Sequence, residues 1–273
     1  MSFFYSDKKI GKGVSKDEPP QNRFIHFFAL YFRKFWKLSQ LNMLYFLFCL
    51  PVVTIGPATA GFTYVLRNFS REEHSFVWWD FKDNFKSNFK QSFFVGIIDI
   101  VVFALFIINV NFYRQIIVLR NASTPLLIMM GATMVVFLLL LFMRPYVYMM
   151  IVTVDLPLRH IFKNAMIFSI LGFFRNLISF IFRVITIVLM AVVLFILLWP
   201  ISSGDINTLY FLIGIFMTII MVFFGLSLIG FISIYNAYPL IKKYIVDPAT
   251  KKDDDGDDDN EDDGPVFSDE LKF

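Results

Sequence analysis

The chain has 273 residues, of which 57% are hydrophobic and 36 are Phe, and its mean hydropathy is +0.65. A soluble domain of this length carries more charge and fewer aromatic residues, so the composition excludes an ordinary water-soluble protein and predicts an all-α membrane protein. Residues 1–246 carry 22 Lys and Arg against 10 Asp and Glu, whereas residues 247–273 carry 3 against 12, and a basic membrane body favours anionic lipid over nucleic acid as its partner.

Residues 1–39 are predicted to form a cytoplasmic segment that ends in an amphipathic helix. Within Arg23–Leu38, aromatic and aliphatic residues alternate with His26, Arg33, Lys34 and Lys37. This pattern is typical of a helix that lies in the membrane interface with its apolar side in the lipid. The membrane domain is then expected to cover residues 40–246.

The first apolar run, residues 40–68, is interrupted at its midpoint by Pro51, Gly56 and Pro57. Proline removes a backbone donor and glycine tolerates unusual backbone angles, so a straight helix is unfavourable there. We predict a broken hairpin in which the 51–57 bend packs inside the bundle, Thr54 satisfies freed backbone groups, and Asn42 hydrogen-bonds between helices. The hairpin is either re-entrant or fully spanning, and its first arm could begin earlier, within residues 24–38.

Four further apolar runs predict transmembrane helices near residues 92–113, 125–150, 177–199 and 209–235. Counting Lys and Arg on the two sides decides how they are oriented. If residues 40–68 cross once, each side holds 10 basic residues; if they turn back, one side holds 18 and the other 2. The second arrangement follows the positive-inside rule and predicts that both termini are cytoplasmic.

Two later cytoplasmic segments, Phe76–Gln91 and Leu158–Phe168, also look amphipathic and each precedes a pair of spans. This suggests a pseudo-repeat of one interfacial helix followed by a helical hairpin. The segments could anchor the membrane surface or could dock a partner protein. The docking candidates are the aromatic and basic residues of the two segments: Phe81, Phe85, Lys86, Phe89, Lys90, Arg159, Phe162 and Lys163.

Three charged residues fall inside the predicted spans, namely Asp99, Arg144 and Arg183. On the hairpin topology they lie at similar depth on the cytoplasmic side. Charges are costly in lipid, so we predict a buried cluster in which Asp99 pairs with Arg144 or Arg183. The pair could set helix register, the arginines could extend to the interface, or the group could form a substrate or proton site.

We find no spacing of metal ligands and no catalytic motif, so neither a metal, a cofactor nor enzymatic activity is expected. The last segment, residues 247–273, is predicted to be a disordered acidic tail on the cytoplasmic side. Nine of the eleven residues from Asp253 to Asp263 are acidic, so the tail buries too little surface to fold alone.

Several of these stretches resemble the YesL-like family of small bacterial membrane proteins. The resemblance rests on Asn42, on the Leu-Pro-Val-Val-Thr-Ile-Gly segment at residues 50–56, on the Phe-Lys-Asp-Asn-Phe-Lys-Ser-Asn-Phe-Lys-Gln segment at 81–91, and on Pro157 to Ala165. It implies a multi-pass protein of the bacterial cell membrane. It also implies an accessory or regulatory subunit of a carbohydrate ABC importer that contacts the permease and ATPase subunits. The alternative, suggested by the broken helix and the intramembrane charges, is a small oligomeric transporter or channel.

Overall fold

A computed structural model describes residues 23–120, 124–203 and 208–248 of the chain. Within these ranges the backbone is almost entirely helical and contains no strand, which confirms the all-α class. Residues 1–22 and most of the predicted acidic tail, residues 249–273, lie outside the described ranges.

Nine α-helices follow one another along the described residues. In chain order they are α1 Arg23–Arg33, α2 Phe35–Cys49, α3 Ile55–Ser70, α4 Val77–Ser87, α5 Phe89–Arg120, α6 Thr124–Ile151, α7 Leu158–Leu171, α8 Phe173–Ser203 and α9 Thr208–Ile241. A short 3₁₀ helix, Val52–Thr54, precedes α3, and a π-helical segment, Lys242–Val246, continues α9.

The four long helices are α5, α6, α8 and α9, and they coincide with the four predicted spans. Their apolar stretches are 24 to 35 residues long and have mean hydropathies of 2.7 to 2.8. About 20 apolar residues are enough to cross the hydrocarbon core of a bilayer. The chain is therefore a multi-pass membrane protein by the length and composition of its helices.

A three-part pattern organises the helices. Each part is a short helix, a single kink residue, a longer helix and a returning helix: α1–α2–α3, α4–α5–α6 and α7–α8–α9. The kinks lie at Lys34, Asn88 and Gly172, and backbone hydrogen bonds continue through all three of them. The predicted pseudo-repeat thus extends to the N-terminal helices, where α2 and α3 are only 15 and 16 residues long. At 1.5 Å per residue, each is shorter than the roughly 30 Å hydrocarbon core.

The break between α2 and α3 has the predicted shape but a different environment. Pro51 is extended, and the hydroxyl of Thr54 lies 2.5 Å from the carbonyl oxygen of Phe48 and 2.7 Å from that of Pro51, as expected for a residue that satisfies freed backbone groups. The prediction that the whole bend is internal is wrong: residues 50–53 are exposed. Within residues 51–57 only Gly56 and Pro57 are buried, because they lie in the first turn of α3 on its packed side.

Gly56 is buried because α3 and α5 approach each other closely at this point. A Cβ atom on Gly56 would lie 2.0 Å from the carbonyl oxygen of Ser92, and one on Gly96 would lie 2.7 Å from the Gly56 Cα atom. Both obstacles are backbone atoms, which cannot rotate away. Small residues permit such close helix packing in membranes.

Buried side chains are concentrated at one end of the bundle. We define the packed end as α1–α4, α7, the beginnings of α5 and α8, and the final turns of α6 and α9. The residues there that are less than 2% exposed include Leu30, Leu38, Leu41, Val65, Leu66, Phe69, Phe81, Tyr146, Met149, Met150, Ile161, Phe231 and Ile241. The opposite halves of the four long helices, which we call the far ends, contribute few buried residues, and only 6 to 19% of the most apolar stretch of each long helix is buried.

Candidate functional site

An ion pair connects α5 and α6 close to the packed end. The Nε atom of Arg144 donates to Oδ2 of Asp99 at 2.9 Å, and the hydroxyl of Tyr148 donates to the same oxygen at 3.0 Å. Arg144 and Tyr148 are four residues apart on α6, so they share one side of that helix. The structure therefore brings together Asp99 and Arg144, one of the two pairings expected from the sequence.

Arg183 does not contact Asp99. It extends from α8 to α9, where its Nη2 atom donates to the hydroxyl of Ser233 at 2.9 Å. Its Nε atom is buried and has no hydrogen-bond partner in the described part of the chain. Nor does Arg183 form an ion pair with any described acidic residue, so it is a separate intramembrane cation and not a member of the Asp99 pair.

Two cavities lie on either side of the Arg144–Tyr148 pair. The first, about 370 Å³, is mainly apolar, lies largely between α5 and α6, and includes Asp99 in its wall. The second, about 240 Å³, is lined by α2, α3, α6, α8 and α9 and includes Arg183. Arg144 and Tyr148 line both cavities and separate Asp99 from Arg183.

The second cavity has a hydroxyl-rich wall. Tyr45 of α2 and Thr59 of α3 hydrogen-bond to each other at 3.1 Å, and Ser233 contributes a third hydroxyl beside Arg183. Sequence reasoning missed these residues because each lies within an apolar helix. Tyr148, which lines the same cavity, could have been found from the sequence, because it lies four residues after Arg144 and residues four apart on a helix face the same way.

Another arginine, Arg67, is almost completely buried at the packed end with 1% exposure. Its Nη1 atom donates to the carbonyl oxygen of Val152 and to the hydroxyl of Thr153, each at 3.0 Å, and its guanidinium lies 4.6 Å from the ring centre of Tyr64. These contacts join α3 to the segment between α6 and α7. Sequence reasoning treated Arg67 only as a cytoplasmic loop charge, because the end of α3 was not resolved by hydropathy.

Glu72, just after α3, connects that helix to α1. Its φ of 61° is in the left-handed region, where the chain reverses at the end of the helix. The carboxylate accepts a hydrogen bond from Arg33, and its other oxygen lies 2.9 Å from Nε2 of His26. The hydrogen bond from Arg33 is the main reason that the pKa of Glu72 is lower than usual, with partial burial opposing it and His26 adding to it.

The predicted docking residues divide into internal and exposed sets. Phe81 is completely buried and lies against Gly61 of α3 and Phe48 of α2, so its assignment to a docking surface is wrong. Phe85 also packs against Phe48, and Phe162 is half-buried. Phe89 is 38% exposed. The exposed basic members are Lys86, Lys90, Arg159 and Lys163.

The exposed aromatic residues of α4 are instead Trp78 and Trp79, which are 48% and 67% exposed. The α4 pattern places every fourth residue inward, so Phe81 and Phe85 fill the core while the preceding tryptophans face outward. The α4–α5 junction also lies beside the start of α7, because Nε2 of Gln91 donates to the carbonyl oxygen of Leu156 at 3.3 Å.

Asn42 is completely buried within α2, at the position expected for a residue that contacts neighbouring helices. Among the described residues, no group of three His, Cys, Asp or Glu side chains could hold a metal ion.

A family model described as "Protein of unknown function, DUF624", the family to which YesL belongs, matches residues 38–110. The match covers a little over a quarter of the chain, from α2 into α5, and includes Asn42, the bend, α4 and Asp99. Comparisons with curated proteins and with solved structures gave no match.

Proposed function

We propose that this protein is a YesL-like accessory subunit of a carbohydrate ABC importer in the bacterial cell membrane. It acts through contact with the permease and ATPase subunits and has no catalytic activity of its own. The family match over α2–α5 supports the YesL-like assignment. The distribution of Lys and Arg supports an orientation with both termini, and therefore the packed end, in the cytoplasm beside anionic lipid.

The surface of α4 is the observation that carries the proposal. Trp78 and Trp79 are exposed, and Lys86 and Lys90 follow on the same side of the α4–α5 junction as exposed cations. Tryptophan is the residue most enriched at the centres of protein interfaces, where it supplies a large share of binding energy. We define these four residues as the α4 surface.

Tryptophan is also enriched where membranes meet water, so anchoring in the lipid interface competes with docking. The two roles differ in what the side chains contact. An anchor contacts lipid in any membrane, whereas a docking surface needs its partner. Removing the two tryptophans therefore separates the roles if partner recovery and membrane insertion are both measured.

The test is affinity purification of tagged protein from its native membrane in mild detergent, followed by mass spectrometry. We expect importer permease or ATPase subunits to copurify in stoichiometric amounts. The double substitution Trp78→Ala and Trp79→Ala should lower their yield about tenfold, the effect of losing interface anchors. The control is Phe174→Ala on α8, an equally apolar side chain that is 78% exposed and should leave the yield unchanged.

Recovery of the protein alone, at normal levels in the membrane, would contradict the accessory role. Equal loss of partners in the Phe174→Ala protein would show that exposed aromatic residues act nonspecifically.

A small oligomeric transporter is the second candidate, and the charged group around Arg144 favours it. Ionisable residues at depth and broken helices both mark ligand sites in transporters. Asp99→Asn would then abolish solute flux in liposomes while the protein remains folded. Flux that is unaltered by Asp99→Asn, or absent in the unsubstituted protein, would contradict transport through this site.

A further inference from the structure

The second cavity contains more positive charge than its surroundings neutralise. Arg144 and Arg183 both line it, and none of its described lining residues is acidic. Asp99 balances one of the two arginines, but it contacts Arg144 from the direction of the first cavity. The polar group as a whole therefore carries one excess positive charge at a depth of about 15 Å from the start of α8, ten residues before Arg183.

Arg183 is the less satisfied of the two arginines. A guanidinium has five N–H donors, and the one hydrogen bond of Arg183 in the described structure is to Ser233. The Ser233 hydroxyl in turn lies 2.8 Å from the carbonyl oxygen of Ile229, so it is already held by its own helix. The buried Nε atom argues against an arginine that simply extends to water, because such a side chain would expose its whole guanidinium.

We infer that this cavity binds an oxyanion of the phosphate type, with Arg183 as its principal ligand and Arg144 as the second. The phosphate could belong to a phospholipid headgroup or to a small soluble molecule. Arginine pairs with phosphate through two parallel hydrogen bonds, and the negative charge would neutralise the excess cation. The hydroxyls of Tyr45, Thr59 and Ser233 line the same space but already donate to one another or to backbone carbonyl oxygens, so the guanidinium groups of α6 and α8 supply the free donors, from two directions.

The size and position of the cavity agree with this ligand. A volume of about 240 Å³ admits a phosphate group and leaves space for water or for part of the molecule that carries it. Five helices line the cavity, and an anion held by arginines of α6 and α8 would cross-link the α5–α6 pair of helices to the α8–α9 pair. We therefore expect binding to raise the thermal stability of the protein as well as to occupy the site.

The experiment uses full-length protein purified in an uncharged detergent and has one arm for each source of phosphate. In the first arm, inorganic phosphate is titrated against a chloride buffer and binding is measured by calorimetry. In the second arm, the protein is exchanged into nanodiscs of phosphatidylcholine with a minor fraction of phosphatidylglycerol, and native mass spectrometry counts retained lipid.

One arm or both should show a single site. Binding of inorganic phosphate assigns the site to a small soluble molecule, and selective retention of phosphatidylglycerol assigns it to lipid. In whichever arm shows binding, Arg183→Gln should lower the affinity about tenfold or more, as expected for loss of hydrogen bonds to a charged group. The matched control is Arg175→Gln, on the same helix but outside the cavity, and it should bind like the unsubstituted protein.

If Arg183→Gln fails to fold, Arg183→Lys retains the charge and removes the paired geometry, so it should still lose affinity while remaining folded. Binding that is equal in the Arg183 and Arg175 variants would overturn the assignment. An absence of binding in both arms for the unsubstituted protein would overturn it as well.

Discussion

The packed end and the far ends of the bundle differ in how their side chains are buried. At the packed end, aromatic and aliphatic side chains from nearly all helices interdigitate, and polar groups such as Arg67 are hydrogen-bonded across elements. At the far ends, α5 pairs with α6 and α8 with α9, while most large apolar residues are exposed. Lipid or another membrane protein must cover that apolar surface in the cell.

The difference shows in which region the identity of each side chain matters for the fold. The far ends need only be apolar and helical, because lipid accepts any such surface. At the packed end, side chains of different helices must be complementary in shape, and every intramembrane charge discussed above lies in this region or close to it. Substitutions should therefore be costly at the packed end and nearly silent at the far ends, and matched pairs of substitutions can test this contrast.

The largest contrast is expected between two helical glycines. Gly96→Ala would place a methyl group 2.7 Å from a backbone atom of α3, which should destabilise the protein by about 3 kcal/mol through forced separation of α3 from α5. Gly131 has open space around it, so Gly131→Ala should stabilise α6 by up to about 1 kcal/mol. Thermal unfolding in detergent measures both. Equal changes in stability for Gly96→Ala and Gly131→Ala would remove the distinction between the two regions.

A smaller contrast is expected between two arginines. Arg67→Met retains most of the side-chain volume but leaves the Val152 carbonyl and the Thr153 hydroxyl without their donor, which should cost about 2 kcal/mol. Arg114 lies exposed on α5 toward its far end, so Arg114→Met should change the free energy of unfolding by less than about 0.5 kcal/mol. A drop in stability for Arg114→Met comparable to that for Arg67→Met would contradict the difference between the two ends of the bundle.

The ion pair should contribute less than the glycine contact. Asp99→Asn removes the charge opposite Arg144 but keeps a side-chain oxygen that can accept its hydrogen bond, so we expect a loss of about 1 kcal/mol. Arg144→Gln should cost less in the Asp99→Asn protein than in the unsubstituted one, giving a coupling energy of similar size in a double-mutant cycle. Additive effects of the two substitutions would show that the pair does not stabilise the fold.

The smallest effect should depend on pH. The folded-state pKa of Glu72 is lowered, so its contribution to stability is present above the unfolded-state value and is lost as the pH falls through the folded-state value. The carboxylate is substantially exposed, so Glu72→Gln should cost about 0.5 kcal/mol or less at pH 7. Melting curves of the two proteins should converge as the pH falls below the folded-state pKa of Glu72. A constant difference at every pH would exclude the Arg33–Glu72 interaction as its source.

Much of this fold was predictable because the length and hydropathy of each segment depend only on position along the sequence. They located the four long helices, the break near Pro51 and the similar depth of Asp99 and Arg144. One of the predictions that failed, burial of the whole bend, concerned which residues face neighbouring helices. Depth in a membrane can be derived from position along a helix, whereas contact also requires the rotation of each helix about its axis.

The same reasoning explains what was missed at the candidate site. Phe81 was assigned outward and Trp78 was not considered, because an amphipathic helix with aromatic residues on both sides gives no unique orientation. Arg183 was placed at the correct depth, but its separation from Asp99 by Arg144 and Tyr148 depends on how α6 lies between α5 and α8. The contact of Gly56 with Gly96 joins residues 40 positions apart, which no local pattern reports.

The most direct test of the accessory role is site-specific crosslinking at the α4 surface in intact native membranes. A photoreactive amino acid is introduced at position 79 and, as a comparison, at position 174 on α8. If α4 docks the importer, position 79 should give adducts with importer permease or ATPase subunits, and position 174 only lipid adducts. Lipid adducts alone from both positions would identify the α4 tryptophans as membrane anchors and would contradict the proposed role.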